Sequence, residues 1–467
     1  MQGHVSSLLD SSAPSGSARF WRLATPAPVS GRSWRVSPVG ALRLAILLLF
    51  IGQLGRIPLL ATGTRDAPLL VNDLCIIVVL AVAGLVALYR GSFRIDAVGM
   101  LMIVFAVIGF TTALLAVPRF GLSGLDLLVS LAYLARWLVY FGLYLVVVNF
   151  VKERDVGTVW RTIEAMMLAF AVFGIVQAIF LPHFAQLVYP DSRVYIDWDE
   201  QGHRLVSTVL EPNIAGSMIV YVLLIQCARL STGVRVPLWK PLIMLAALVA
   251  TLSRSSFLGL AVGGIVILAV RGLSRRLLRF AALVAALLTV ASPQLYAWLQ
   301  HFGKLSVSDA STVSRFISWA MAWDVFADHP IFGVGFNTYG YVAEHYGGKL
   351  AGAATFSADG GFLFIAAMTG LVGVACYVAM LAIVVRRCRR VWRDATATAD
   401  ERGLAVGIAA ATIAAPAIGL WVNTLLTPFS MELLWLFWGM TFAMSANRAP
   451  RPQGAAPMRL VTYPLST

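Results

Sequence analysis

Residues Ser314–Gly373 read SRFISWAMAWDVFADHPIFGVGFNTYGYVAEHYGGKLAGAATFSADGGFLFIAAMTGLVG. The stretch changes character within itself. As far as Ala358 it is polar and aromatic, with charges of both signs. From Gly361 it carries no charge, and the apolar run continues to Val385. A run of that length matches the roughly 20 residues that cross a bilayer as a helix. Lipid offers no partner for an unpaired backbone amide, so the run is expected to be helix rather than open sheet. The polar part is the largest piece of chain able to build a site outside lipid. Within it Phe316, Trp319, Ala320, Trp323 and Phe326 recur at helical spacing. Ser311 or Ser314 is suited to cap that helix, and Pro330 follows its end.

The same pattern fills the rest of the chain. Of 467 residues 59% are hydrophobic and 12% charged, and the mean hydropathy is +0.81. This composition predicts an all-α, polytopic integral membrane protein. Twelve spans are expected, near 41–60, 67–89, 96–117, 124–150, 156–181, 211–229, 239–253, 255–271, 280–298, 359–385, 403–423 and 428–446. The first is interrupted by Gln53 and Arg56, and TLSRSS leaves almost no loop within 239–271.

The net charge of +14 does not indicate nucleic-acid binding, because the arginines cluster in short loops between apolar runs. They set orientation. Arg90 and Arg94, Lys152 and Arg154, Arg229 and Arg235, Arg271 to Arg279, and Arg386 to Arg393 all fall on one side if the count is twelve. That side is expected to be the cytoplasm, with residues 1–40 and 447–467 as cytoplasmic tails around a membrane domain at 41–446. Two longer loops, 182–210 and 299–358, then face outward, and their mixed aromatic and polar content argues for order. Cys75, Cys227, Cys376 and Cys388 place no pair in an outward loop, so no structural disulfide is expected.

Arg204, Arg254 and Arg315 lie on the outward side, where the positive-inside rule predicts few arginines, so topology does not explain them. A guanidinium offers paired donors matched to phosphate oxygens, so three around one cavity would suit a diphosphate; snorkelling or a local carboxylate is the plainer role for each. Arg136 falls inside the fourth span, where a charge is costly; it is expected to pair with Asp126 or to face the same cavity. A general base on that side would come from His, Asp or Glu. His345 and Asp359 are the best placed, and Glu211 and His329 lie in the same two loops. The histidines and cysteines show no metal-ligand spacing, and no cofactor is expected.

With these residues in place, the sequence resembles the O-antigen ligase and O-antigen or exopolysaccharide polymerase superfamily. The resemblance is carried by RLVSTVLEPNIAGSMI at Arg204–Ile219, TLSRSSFLGL at Thr251–Leu260, SRFISWAMAWDVFADHPIFGVGFNTY at Ser314–Tyr339 and GGFLFIAAMTGLVG at Gly360–Gly373. It covers mainly 200–375. It implies a metal-independent, inverting membrane glycosyltransferase of the C type in the bacterial inner membrane, with its active site facing the periplasm. The donor would be a glycan on undecaprenyl diphosphate and the acceptor another glycan, with a chain-length regulator as a further partner. Arg204, Arg254 and Arg315 would hold the diphosphate, with Arg136, Glu211, Asn213 and His329 supporting. Ligases of the family usually carry a His-Asn pair where this chain has Asp359 and Gly360. Either Asp359 or His345 would then be the base, and the departure favours a polymerase of surface or secreted polysaccharide over a ligase acting on lipid A-core. A transporter or flippase of lipid-linked substrate, and a non-catalytic scaffold, are the competing classes.

Overall fold

A computed structural model describes residues 37–62, 65–190, 202–301, 310–343, 346 and 358–446. The helices are α1 (Pro38–Leu48), α2 (Val71–Arg90), α3 (Ala97–Phe120), α4 (Gly124–Phe150), α5 (Glu153–Phe180), α6 (Phe184–Val188), α7 (Pro212–Ser231) and α8 (Trp239–Thr251). They continue with α9 (Arg254–Arg271), α10 (Arg275–His301), α11 (Ala310–Asp328), α12 (Tyr339–Ala343), α13 (Gly361–Arg393), α14 (Ala399–Gly419) and α15 (Ser430–Ser445). The chain is an all-α polytopic membrane protein. Among the described residues nine helical segments are long and apolar enough to cross a membrane, against the twelve expected. At 13 residues α8 is too short for a full span.

The first expected span, 41–60, is not one helix. α1 ends at Leu48, a 3-10 segment follows to Gly55, and the chain enters an antiparallel hairpin of β1 (Arg56–Thr62) and β2 (Arg65–Leu70). Gly52 sits there at φ +56, and a Cβ on it would overlap the Thr208 carbonyl. That close approach ends the regular helix before Gln53. In the polar stretch, α11 begins at Ala310, so Ser311 and Ser314 lie within the helix rather than capping it.

Local sequence explains most helix ends. Ser123 and Asp126 form a capping box on α4, as Thr398 and Glu401 do on α14. The Asp96 side chain accepts from Gly99 N at 2.9 Å and starts α3. Gly91 and Gly121 end α2 and α3 in the left-handed conformation. Because the spanning helices alternate, two sets of ends result. The Arg-rich loops α2–α3, α4–α5, α7–α8, α9–α10 and α13–α14 share one end of the bundle. The segments 181–190, 202–211, 251–254, 310–343, 358–360 and 420–429 share the other.

The centre of the bundle is α7 packed against α14. Burial reaches 94% of the residues in the apolar window of α7 and 78% in that of α14, against 28–56% in the other spans. Small residues allow the approach: a Cβ on Gly407 would lie 2.5 Å from Ile225 Cα. Close backbone contact of this kind supplies packing where lipid gives no hydrophobic drive. Among the described residues the buried carboxylates Asp73, Asp96, Glu164 and Glu432 are all partnered. Arg136 Nε meets Asp73 Oδ2 at 3.1 Å, and Tyr140 donates to the same carboxylate at 2.6 Å. Arg136 therefore does not pair with Asp126, which is occupied by the Ser123 cap at 2.6 Å. Asn72 donates to Glu432 at 2.8 Å, Arg387 pairs with Asp96, and Lys240 meets Glu164 at 2.6 Å.

Candidate functional site

The end of the bundle away from the Arg-rich loops carries two polar clusters. The first is built on the last turn of α5. Gln177 Oε1 accepts from Val206 N at 3.0 Å and Ser207 N at 3.1 Å, while its amide donates to the Arg204 carbonyl at 3.2 Å. Leu205 N donates to the Ala250 carbonyl at 2.9 Å. The segment 204–207 is thus clamped between α5 and α8. Arg204 Nε then donates to the Thr251 carbonyl at 3.0 Å. Thr251 opens the two-residue turn between α8 and α9, and Arg254 is the first residue of α9, with an exposed side chain.

Glu211 closes this cluster. Its carboxylate caps α7, accepting from Asn213 N at 3.1 Å and also from Ile214 N. Asn213 Nδ2 donates to Glu211 at 2.8 Å, and Asn213 Oδ1 accepts from Ser253 Oγ at 3.0 Å. Burial raises the Glu211 pKa; the Ile214 and Asn213 amides and the Arg204 charge oppose that rise. Three non-glycine residues here adopt left-handed backbone: Ser207, Leu210 and Leu252, at φ +49, +55 and +53. Strain of about 1–3 kcal/mol each persists only where surroundings over-determine the conformation.

The second cluster joins α11 to the start of α13. Asp359 N donates to the buried Ser318 Oγ at 2.9 Å. Burial raises the Asp359 pKa, and the nearby Arg315 charge opposes it. Gly360, at φ +102, brings the backbone to Trp319, whose Nε1 lies 3.2 Å from where a Cβ would stand. Trp319 and Trp421 rings sit 5.0 Å apart, with Phe316 against both. The Tyr339 hydroxyl is buried without a hydrogen-bond partner among the described residues. Burial and the charges of Asp359 and Asp324 push its pKa well up.

The HPIFGVGFNTY turn holds these parts in register. α13 breaks at Gly370, where φ is +64 and ψ −166. The turn docks into the break: Leu371 N donates to the Pro330 carbonyl at 2.8 Å, and Val334 N and Gly335 N donate to the Ala367 and Met368 carbonyls at 2.9 Å each. Gly333 and Gly370 lie back to back, each pressed on the other segment's backbone. The freed groups of the broken helix are thereby satisfied inside the protein.

The helix α9 that follows the first cluster and the Gly360 backbone of the second both touch the end of α14. Gly259, five residues into α9 from Arg254, packs on Ile418 near the end of α14, and the Gly360 Cβ position lies 3.4 Å from the Leu420 carbonyl just beyond it. Of the residues expected from sequence, the fold brings together Arg204, Glu211, Asn213 and the turn that bears Arg254. It separately brings together Arg315 and Asp359. Arg136 belongs to the buried Asp73 network instead. His329 Nδ1 lies 2.9 Å from Arg119 Nη2, and burial and that charge lower its pKa. His345 lies outside the described residues. Sequence reading missed Gln177, Ser253, Ser318 and Tyr339 as contributors. Ser253, Ser318 and Tyr339 stood inside quoted motifs; Gln177 carried no local signal.

These features define a helical membrane protein with a cationic, carboxylate-bearing rim at one end. A family model described as O-antigen ligase matches residues 242–378, and that match places this segment in the O-antigen ligase superfamily. It contains Arg254, Arg315 and Asp359 and ends beyond the break at Gly370. No curated protein matches the chain. The family is one of membrane enzymes, and the match supports glycosyl transfer of the ligase or polymerase type on lipid-linked glycans.

Proposed function

We propose that the protein is an inverting glycosyltransferase that extends surface or secreted polysaccharide at the outer face of the inner membrane. Two observations support the reading: Arg204 is held to the Thr251 carbonyl at the turn leading into Arg254, and Arg315 stands near the buried Asp359 carboxyl. In this reading Asp359 accepts the proton of an acceptor hydroxyl. The acceptor oxygen bonds to the anomeric carbon from the face opposite the leaving group. The bond from that carbon to the diphosphate oxygen breaks, and its electron pair leaves with undecaprenyl diphosphate. Arg204, Arg254 and Arg315 hold that anion; Glu211 and Asn213 position the loop that bears Arg204. Charge placed in advance at the leaving group supplies much of the rate in such transfers. Burial raises the Asp359 pKa and so makes its carboxylate a stronger base. His345 is the other group suited to this role.

The test is the polysaccharide profile of a strain lacking the protein, complemented with wild type, Arg254→Ala or Asp359→Ala. Single repeats without long chains support a polymerase. Long chains stranded on undecaprenyl diphosphate, absent from lipid A-core, point to a ligase. Wild-type behaviour of both variants removes the proposed site.

A further inference from the structure

The opposite end of the bundle holds a cavity of about 710 Å³. It lies between the α2–α3 and α4–α5 loops and the last turn of α15. Its wall carries four cationic side chains, Arg90, Arg94, Lys152 and Arg154, with two carboxylates, Glu153 and Glu401. Glu401 is engaged in capping α14, accepting from Thr398 N at 2.8 Å. Arg94 and Lys152 enter no ion pair among the described residues. The two cationic loops are tied together: Arg94 N donates to Asn149 Oδ1 at 2.7 Å, and Asn149 Nδ2 returns a bond to the Arg94 carbonyl at 3.0 Å. Arg90 is held over the Phe150 ring at 5.5 Å, and Phe442 and Ala443 give the cavity an apolar side.

Orientation by positive charge requires arginines in these loops. It does not require them to surround one concavity, nor to be braced there by an asparagine clasp. We infer that this cavity binds a phosphate-bearing anion. An anionic phospholipid headgroup and a soluble phosphate share the chemistry the site would recognise: oxygens for the cations, and in the lipid case acyl chains for the apolar side. The inference is independent of the function proposed above.

The test uses the full chain purified in mild detergent. Phosphatidylglycerol and phosphatidylcholine are supplied in equimolar mixture, and retained lipid is read by native mass spectrometry, with and without inorganic pyrophosphate. Wild type is expected to retain phosphatidylglycerol preferentially, or to bind pyrophosphate. Arg94→Ala with Lys152→Ala is expected to lose about fivefold in affinity per cation removed. Arg275→Ala with Arg279→Ala, at the exposed Arg-rich start of α10, is expected to change nothing. Pyrophosphate that displaces no lipid but is itself bound at the cavity assigns the site to a soluble phosphate, and retained lipid assigns it to the membrane; both uphold the inference. Equal retention of the two lipids with no pyrophosphate binding overturns it, as does equal loss in the two double variants. If the cavity variant does not fold, a photoactivatable phosphatidylglycerol on wild type decides: crosslinks confined to 90–94 or 149–154 support the site, and crosslinks spread over all Arg-rich loops refute it.

Discussion

Replacing Gly370 by alanine probes the joint that sets Asp359 against α11. At φ +64 an L-residue costs roughly 1–2 kcal/mol. The added Cβ would also overlap the Ile331 carbonyl, so the 330–335 turn must withdraw. Four backbone hydrogen bonds bind that turn to α13, at 2.8, 2.9, 2.9 and 3.3 Å, and each contributes about 0.5–1.5 kcal/mol net. Losing part of that set on top of the conformational cost gives a destabilisation of about 3–5 kcal/mol. The measurement is reversible unfolding of the purified protein in mixed micelles, with Gly264→Ala as the control. Gly264 is helical with open space around it, so alanine there is expected to be neutral or stabilising by up to about 1 kcal/mol. If Gly370→Ala unfolds within error of Gly264→Ala, the break in α13 is not held by the turn, and the account of the joint fails.

Removing Arg136 leaves Asp73 buried beside Glu432, so Arg136→Ala is expected to cost about 3–5 kcal/mol in the same unfolding assay, with much of that recovered in Arg136→Met/Asp73→Leu. Glu211→Ala strips the cap from α7 and is expected to cost about 0.5–2 kcal/mol, whereas Glu211→Gln retains most of the stability. For Asp359, burial raises the pKa while Arg315 opposes. A base works in its ionised form, so activity is expected to fall as pH drops through a value above the ordinary aspartate range. Arg315→Ala moves that limb to higher pH, and a limb that stays in place in pH–rate profiles of membrane preparations argues that Asp359 is not the titrating group. Asp359→Asn is expected to lower transfer by two orders of magnitude or more, on the order of a lost general base.

The membrane class was legible because bilayer thickness and backbone pairing act on every segment alike. Nearly all helix boundaries after residue 66 could be placed within a few residues from apolar runs and caps. The first span was not, because the Gly52–Thr208 contact that diverts it joins residues far apart in sequence. The same holds for Arg136. Its neighbour Asp126 looked like a partner, yet Asp126 is consumed locally by Ser123 and the true partner lies on α2. At the candidate site the charged residues stood out because arginine is rare on that side. Ser318, Gln177 and Tyr339 did not: a serine, a glutamine and a tyrosine acquire their roles only from the backbone or carboxylate that tertiary packing sets beside them. Gly333 and Gly370 read as turn and helix glycines; the close approach of each to the other's segment is visible only in three dimensions.

The near-complete burial of α7 has a bearing on biogenesis. Its covering partner α14 begins at Ala399, so roughly 170 further residues must be made after α7 leaves the ribosome before its face is closed. In the interval Ser217 would meet lipid or a holding factor rather than Ser430, its eventual partner. A nascent chain stopped before residue 399 therefore presents a polar-dotted, small-residue groove in the bilayer. Quality control in the membrane has in that groove a direct signal of incomplete synthesis.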